Sequence, residues 1–258
     1  MSDPFAGVHQ KIARSAEHFA AFEAETDAWV AQGRMPYELE TEQETDAKGT
    51  VWNVTRIASV NELPDRWGLI VGDALHNARS ALDHLVCALA RENGAVSVRE
   101  NAFPIFLKPP DEARLKKMRA KQLGGLTTLD RKRIERMQPY KKPSAARSKR
   151  LATLGTLDNL DKHQIVTPAQ LAPRKSLVGG RIVAVTDSEQ NAKTTPNFKW
   201  PTRQTFAAAG VELWRVAEPW HIAEMPHIIS LCFGDTRTAV QELREIHAEV
   251  VSIVADLT

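Results

Sequence analysis

The sequence predicts an α+β protein: a mainly helical bundle with an inserted β-hairpin, followed by a smaller strand-rich part and a C-terminal helix. Three observations predict it. Apolar side chains recur at spacings of three and four over residues 8–32, 64–91 and 144–162, the period drops to two on either side of Lys48-Gly49, and beyond residue 168 short strand-like runs take over. The expected organisation is a helical domain over residues 1–168, with the hairpin at about 36–58, and a strand-rich region with its terminal helix over 169–258.

The first helix follows from Val8, Ile12, Ala16, Phe19, Phe22 and Ala31, spaced to share a face, with Gly33 as its stop. Tyr37-Glu-Leu-Glu and Val51-Trp-Asn-Val-Thr-Arg-Ile alternate apolar and polar side chains around a polar connection, the pattern of a hairpin. Pro64 and Asp65 open the next helix, which runs to about Arg91 and ends at Asn93-Gly94. Phe103-Pro-Ile-Phe and Pro109-Pro110 are extended, because proline disfavours helix in the residue before it. Short basic helices follow near 111–120 and 127–137, ending at Gln138-Pro139-Tyr140, with Gly124-Gly125 between them as a turn. Leu151, Leu154, Leu157 and Leu160 line a helix from about Ser144 to Lys162. Segments beginning at Leu177, Val211 and Ile228 then read as strands, with Gly179-Gly180 as a turn, Asp187–Asn197 as an exposed loop and Thr236–Leu257 as an amphipathic helix. Trp200, Trp214 and Trp220 are expected in core or rim positions.

With 43% apolar residues among 258, the chain can bury one large core or two modest ones. Its opening Met-Ser-Asp-Pro-Phe lacks the pattern of a secretory signal, and no uncharged apolar run approaches the roughly 20 residues of a membrane span. A cytoplasmic protein with no membrane partner is expected. Cys87 and Cys232 lie far apart and read as buried thiols rather than a disulfide or a zinc site. Neither Gly-x-Gly-x-x-Gly after a strand, Gly-x4-Gly-Lys-Ser/Thr nor Gly-x-Ser-x-Gly occurs, so the usual nucleotide loops and the hydrolase elbow are not indicated and no cofactor is expected.

The net charge of +2 conceals an asymmetry. Between Arg114 and Arg150 fourteen lysines and arginines stand against Asp130 and Glu135, a local +12 that leaves −10 for the rest of the chain. Such a belt attracts polyanions, with RNA as the expected partner and Lys116, Lys117, Arg131, Lys132, Arg133, Lys141 and Lys142 as the candidate contacts. Solvated helix faces are the plainer interpretation of the same run.

Chemically capable side chains concentrate in His76-Asn-Ala-Arg-Ser-Ala-Leu-Asp-His84. At about 100° per residue, Trp67, Val71, Ala74, Ala78, Leu82, Leu85 and Leu89 form the core face of that helix, while His76, Ser80, Asp83 and Cys87 form a second stripe bordered by Arg79 and His84. Short directional side chains beside a cysteine indicate packing against another element. The expected partner is the helix carrying Leu157-Asp-Asn-Leu-Asp-Lys-His163, where Asp158 and Asp161 fall on the leucine face. A buried carboxylate needs a cation or a donor, and Arg79 with His76 or His84 are the candidates. One interpretation is therefore a non-catalytic helical interaction protein in which Arg79, Asp83, Asp158 and Asp161 form an ion-pair network.

Arg79-Ser-Ala-Leu-Asp-His84 also fits Arg-x4-His and resembles the motif of HEPN-type ribonucleases of bacterial toxins and defence systems. The resemblance covers six residues. It implies a homodimer of helical bundles that cleaves RNA without a metal, with Arg79 on phosphate and His84 in acid/base work. His76 or Asp83 would assist, with Ser80, Asp158, Asp161 and His163 supporting. Cleavage through the 2′-hydroxyl needs a proton acceptor, a proton donor and stabilisation of the phosphorane charge. Five residues of unbroken helix turn through about 140°, so the pair points apart unless the helix is distorted or a second protomer completes the site. A third interpretation makes His76, Asp83 or His84 with Asp158, Asp161 or His163 a metal site, since imidazole and carboxylate suit zinc, manganese or iron. Of the remaining histidines, His221 and His227 flank Glu224-Met-Pro in an expected loop, and His9, His18 and His247 are expected on helix surfaces.

Overall fold

The structure, a computed structural model, describes residues 3–32, 37–162, 169–170, 183–186, 197–199, 208–224, 231–232 and 239–258. His163, Trp200, His227, Gly179-Gly180 and most of the expected 187–197 loop lie outside the described residues. The fold is α+β, and it divides into two units. One comprises Met1–Thr26, Asp65–Thr167 and Val240–Thr258, the other Asp27–Pro64 and Pro168–Ala239. One division between the units falls between Thr167 and Pro168. The hairpin joins the later strands because its second strand pairs with one of them, and the terminal helix joins the helical unit, where its carboxylates meet arginines.

The helical unit contains most of α1 (Ala6–Ala31), then α2 (Arg66–Glu92), α3 (Glu112–Ala120), α4 (Thr128–Met137), a 3-10 turn at Pro139–Lys141, α5 (Ala146–Asp161) and α6 (Ala239–Leu257). α2 is its central element. The expected stripe from Trp67 to Leu89 is buried, and so are Ile70, Leu75, Ala81, Val86, Ala88 and Ala90 on other faces, so this helix is covered on most of its circumference. α1 is tied to it by Ser15 Oγ, which donates to the Ala74 carbonyl at 2.9 Å, and by Lys11 Nζ, which donates to Asn77 Oδ1 at 3.1 Å. The rings of Phe22 and Trp67 pack T-shaped with their centroids 5.9 Å apart. α3 and α4 start where Asp111 and Thr127 accept the backbone N–H groups of Arg114 at 2.7 Å and Asp130 at 3.1 Å, satisfying donors that a helix start leaves open. Between them Gly125 takes φ +77°, a left-handed turn that glycine adopts without strain.

The second unit holds β1 (Tyr37–Thr45), β2 (Val51–Val60), β3 (Ala169–Gln170), β4 (Val183–Thr186), β5 (Phe198–Lys199), β6 (Glu212–Ala217), β7 (Trp220–Glu224) and β8 (Leu231–Cys232). An antiparallel sheet runs in the order β1-β2-β6-β5, and β3–β8 and β4–β7 form separate pairs. The hairpin closes because Asp46 Oδ1 accepts the N–H groups of Lys48 at 2.9 Å and Thr50 at 3.0 Å, while Gly49 supplies φ +78°. Trp52, Val54 and Ile57 on β2 and Leu213, Trp214 and Val216 on β6 are buried, as is Trp220. The loop expected around His221 and Glu224 is instead β7, whose residues pair with β4 from Thr186↔Trp220 to Val183↔Glu224. Backbone pairing, which leaves no periodic signature in five residues, decides that segment.

Candidate functional site

Arg79 and Asp83 sit one turn apart on α2 and act on a single target, the extended segment from Phe103 to Leu107. Arg79 Nη2 donates to the Phe103 carbonyl at 2.6 Å and lies 3.1 Å from Asp83 Oδ1, which itself accepts the Phe103 N–H at 2.8 Å. Both backbone groups of Phe103 are thus claimed by α2. Gln138, buried at the end of α4, continues the clamp, with Nε2 donating to the Pro104 carbonyl at 2.7 Å and Oε1 accepting the Phe106 N–H at 3.0 Å. Glycine at 155 lets α5 approach closely, since a Cβ there would lie 3.0 Å from Ile105 Cγ2. Burial pushes the Asp83 carboxyl above its ordinary value, against the opposing pull of Arg79 and the Phe103 N–H. Arg79 Nη1 is buried with no acceptor among the described residues.

The expected pairing of α2 with the helix carrying Asp158 is present, and of the expected partners His76 lies near Asp158 while Arg79 does not. Asp158 is 4% exposed at its side chain, 2.7 Å from Lys162 Nζ and 3.6 Å from His76 Nδ1. Lys162, one turn along α5, supplies the cation in place of Arg79, which is committed to Phe103. Asp161 lies against Gly72, where a Cβ would come within 2.3 Å of its Oδ1. His76 is exposed and shares a 3.4 Å contact with Ser80 Oγ. The polar stripe is therefore covered only in its second half, where Cys87 is half-buried with Sγ 3.8 Å from the carbonyls of Val98 and Asn101.

His84 is exposed and projects toward α1, where a Cβ on Gly7 would lie 2.8 Å from its Nδ1. Arg79 and His84 are thus directed at different elements, and α2 runs unbroken between them. Among the described residues no three His, Cys, Asp or Glu side chains come together as a metal-binding set. His247 is not on the open surface expected for it. Its ring packs T-shaped with Phe19, the ring centroids 5.7 Å apart, its Nδ1 is buried without a hydrogen bond among the described residues, and burial holds its pKa below the ordinary 6.5.

The basic belt divides into cations with acidic partners and cations without. Arg147 and Arg150 face Glu249, Glu245 and Asp256 on α6, Arg119 pairs with Glu135 and Lys121 with Glu100. Among the expected contacts, Arg131 turns inward to the Leu126 carbonyl at 2.9 Å, and Arg133 lies 3.7 Å from Asp130. Arg114, Lys116, Lys117, Lys132, Arg136, Lys141, Lys142 and Lys149 are all exposed and have no acidic partner among the described residues.

A cleft of about 490 Å³ opens over the clamped segment, with Arg79, Phe106, Arg114, Asn159 and Lys162 in its lining. A neighbouring cleft of about 420 Å³ adds Lys117 and Lys121 and shares Phe106, Arg114 and Gln122 with the first. Arg114 was legible only as part of the belt, and Phe106, Gln122 and Asn159 were not singled out. Phe103-Pro-Ile-Phe, an aromatic extended segment before the basic helices, was a signal for Phe106; Gln122 and Asn159 carried none. No helix among the described residues is long and apolar enough to cross a membrane. No protein-family description, curated protein or solved structure matches the chain.

Proposed function

We propose that the helical unit binds RNA through the exposed face of α3, α4 and the start of α5. The observation that carries this is the set of eight exposed cations without acidic partners among the described residues, in a molecule whose remaining residues together carry −10. An ordinary solvated helix face interleaves both signs, as Arg119 with Glu135 does. None of these eight forms a salt bridge among the described residues, and each phosphate they neutralise would release bound counterions and stabilise the complex.

The test is RNA affinity measured across salt concentration for the wild type and for a variant with Lys116, Lys117, Lys132, Lys141 and Lys142 changed to serine. Wild-type affinity is expected to fall steeply with salt, and the variant should lose both affinity and slope, by roughly 0.7–0.9 in log–log slope for each phosphate contact removed. No RNA binding by wild type at low salt, or a variant with an unchanged slope, overturns the proposal.

Metal-independent RNA cleavage is a second function, favoured by one observation: Arg79, the arginine of the Arg-x4-His string, lines the larger cleft. His84 points to α1, so a catalytic pair would need the histidine of a second copy. In this scheme Arg79 steadies phosphate charge and His84 transfers the proton. Wild type and His84→Ala are compared on RNA with chelator present. Cleavage that survives chelation and disappears in the variant supports the scheme, and absence of cleavage by wild type removes it.

A further inference from the structure

We infer that the trough formed by the two clefts, centred on the stacked pair of Phe106 and Arg114, seats one unpaired nucleotide of an RNA strand, so that single strands bind in preference to duplex. This inference rests on the RNA-binding proposal and deepens it.

The two clefts share Phe106, Arg114 and Gln122, so they adjoin at those three side chains. Cations stand along the trough, with Arg79 and Lys162 toward one end and Lys117 and Lys121 toward the other. Three of those four are already committed, Arg79 to Asp83 and the Phe103 carbonyl, Lys162 to Asp158 and Lys121 to Glu100. Arg114, in the middle, has no carboxylate partner among the described residues, and neither has Lys117. The Arg114 guanidinium lies over the Phe106 ring with its carbon 4.9 Å from the ring centroid. A guanidinium held against an aromatic ring is ordered before any ligand arrives, so less side-chain entropy is lost when a planar ring stacks beside it. It also carries donors for the adjacent phosphate. The side-chain amides of Gln122 and Asn159 line the trough and can donate to or accept from a base edge.

A nucleotide of a single strand brings a phosphate and an exposed ring together, and the trough offers partners for both. In a duplex the rings are stacked and paired, so only the phosphates reach Arg114. The seat therefore predicts a strand preference that the outer lysines, which meet phosphate in either form, do not.

The experiment measures affinity for a single-stranded RNA and for a hairpin-free duplex of the same composition, using wild type, Arg114→Ala, Arg114→Lys and Arg136→Ala, with circular dichroism confirming that each is folded. Arg136 is an exposed belt cation outside both clefts and controls for loss of one charge. Arg114→Ala is expected to weaken single-strand binding by about tenfold or more, the scale of one stacked base, and duplex binding by only about threefold. Arg114→Lys should restore duplex binding and leave the single-strand loss largely in place, because lysine returns the charge without the plane. If Arg114→Lys restores both, or if Arg114→Ala matches Arg136→Ala on both ligands, the seat is overturned and RNA binding by the belt stands. If wild type binds neither RNA, the RNA-binding proposal fails and the seat falls with it.

Discussion

Arg79 holds its neighbours by geometry rather than by charge alone. Its guanidinium bridges Asp83 and the Phe103 carbonyl, so its removal leaves a part-buried carboxylate without its salt-bridge partner and a carbonyl without that donor. Arg79→Ala is expected to destabilise the helical unit by about 2–3 kcal/mol, below the roughly 3–5 of a sealed pair because Asp83 keeps some water; a shift of thermal midpoint checks this, and an unchanged midpoint refutes the clamp. His247 supplies a pH dependence. Because its folded pKa lies below the ordinary 6.5, the unfolded chain binds the proton more readily, and the stability held by the neutral ring is complete above about pH 6.5 and lost as pH falls through that window. The thermal midpoint should therefore drop as pH falls below about 6.5, and His247→Leu should flatten part of that drop by removing the buried imidazole. A parallel pH profile in the variant would show that His247 plays no part. The importance of positions 79 and 83 was legible from residue type on a helix, but their target was not. A side chain that binds backbone 20 residues away leaves no periodic trace, and the same is true of Gln138 with Pro104 and Phe106.

At the level of elements, α2 and α5 are joined where glycine permits it. Gly72 faces Asp161 so closely that a Cβ would lie within 3 Å of three of its side-chain atoms. An alanine in a helix interior normally gains about 0.5–1 kcal/mol over glycine. Here Gly72→Ala should gain nothing measurable, and Gly72→Val should lower stability by about 1–3 kcal/mol because the two helices must part or Asp161 must leave its place. Equal thermal midpoints for wild type and Gly72→Val would show that the contact yields freely. The long helices and the hairpin were readable because period and punctuation agree in each. The apolar stripe of α2 is closed by Pro64-Asp65 and Asn93-Gly94, and Asp46 and Gly49 lie where the hairpin turns. β5 and β7 were not readable, since two or five residues cannot establish an alternation and their conformation is decided by the strands they pair with.

Across the whole molecule, chain order and structural grouping diverge, and the terminal helix shows why. Leu243, Ile246, Val250, Ile253, Val254 and Leu257 are buried, and at roughly 1.5–3 kcal/mol each they contribute on the order of 10 kcal/mol of burial, comparable to the entire net stability of a domain. The same helix presents Glu245, Glu249 and Asp256 to Arg147 and Arg150, which removes two cations from the belt and anchors α5. Residues 1–168, the domain that hydrophobic periodicity alone suggests, contain the hairpin without the strand β6 that pairs with it and the helices without α6. That fragment is expected to lack a cooperative thermal transition, with exposed apolar surface detected by dye binding, even though α1 to α5 are all present in it. Supplying residues 239–258 as a separate peptide should restore part of the cooperativity, because α6 can rebuild its contacts with α5 and α1 in trans. If instead the fragment melts cooperatively by itself, then α6 covers a core that is already complete, and the grouping of the chain's two ends into one unit has no energetic consequence.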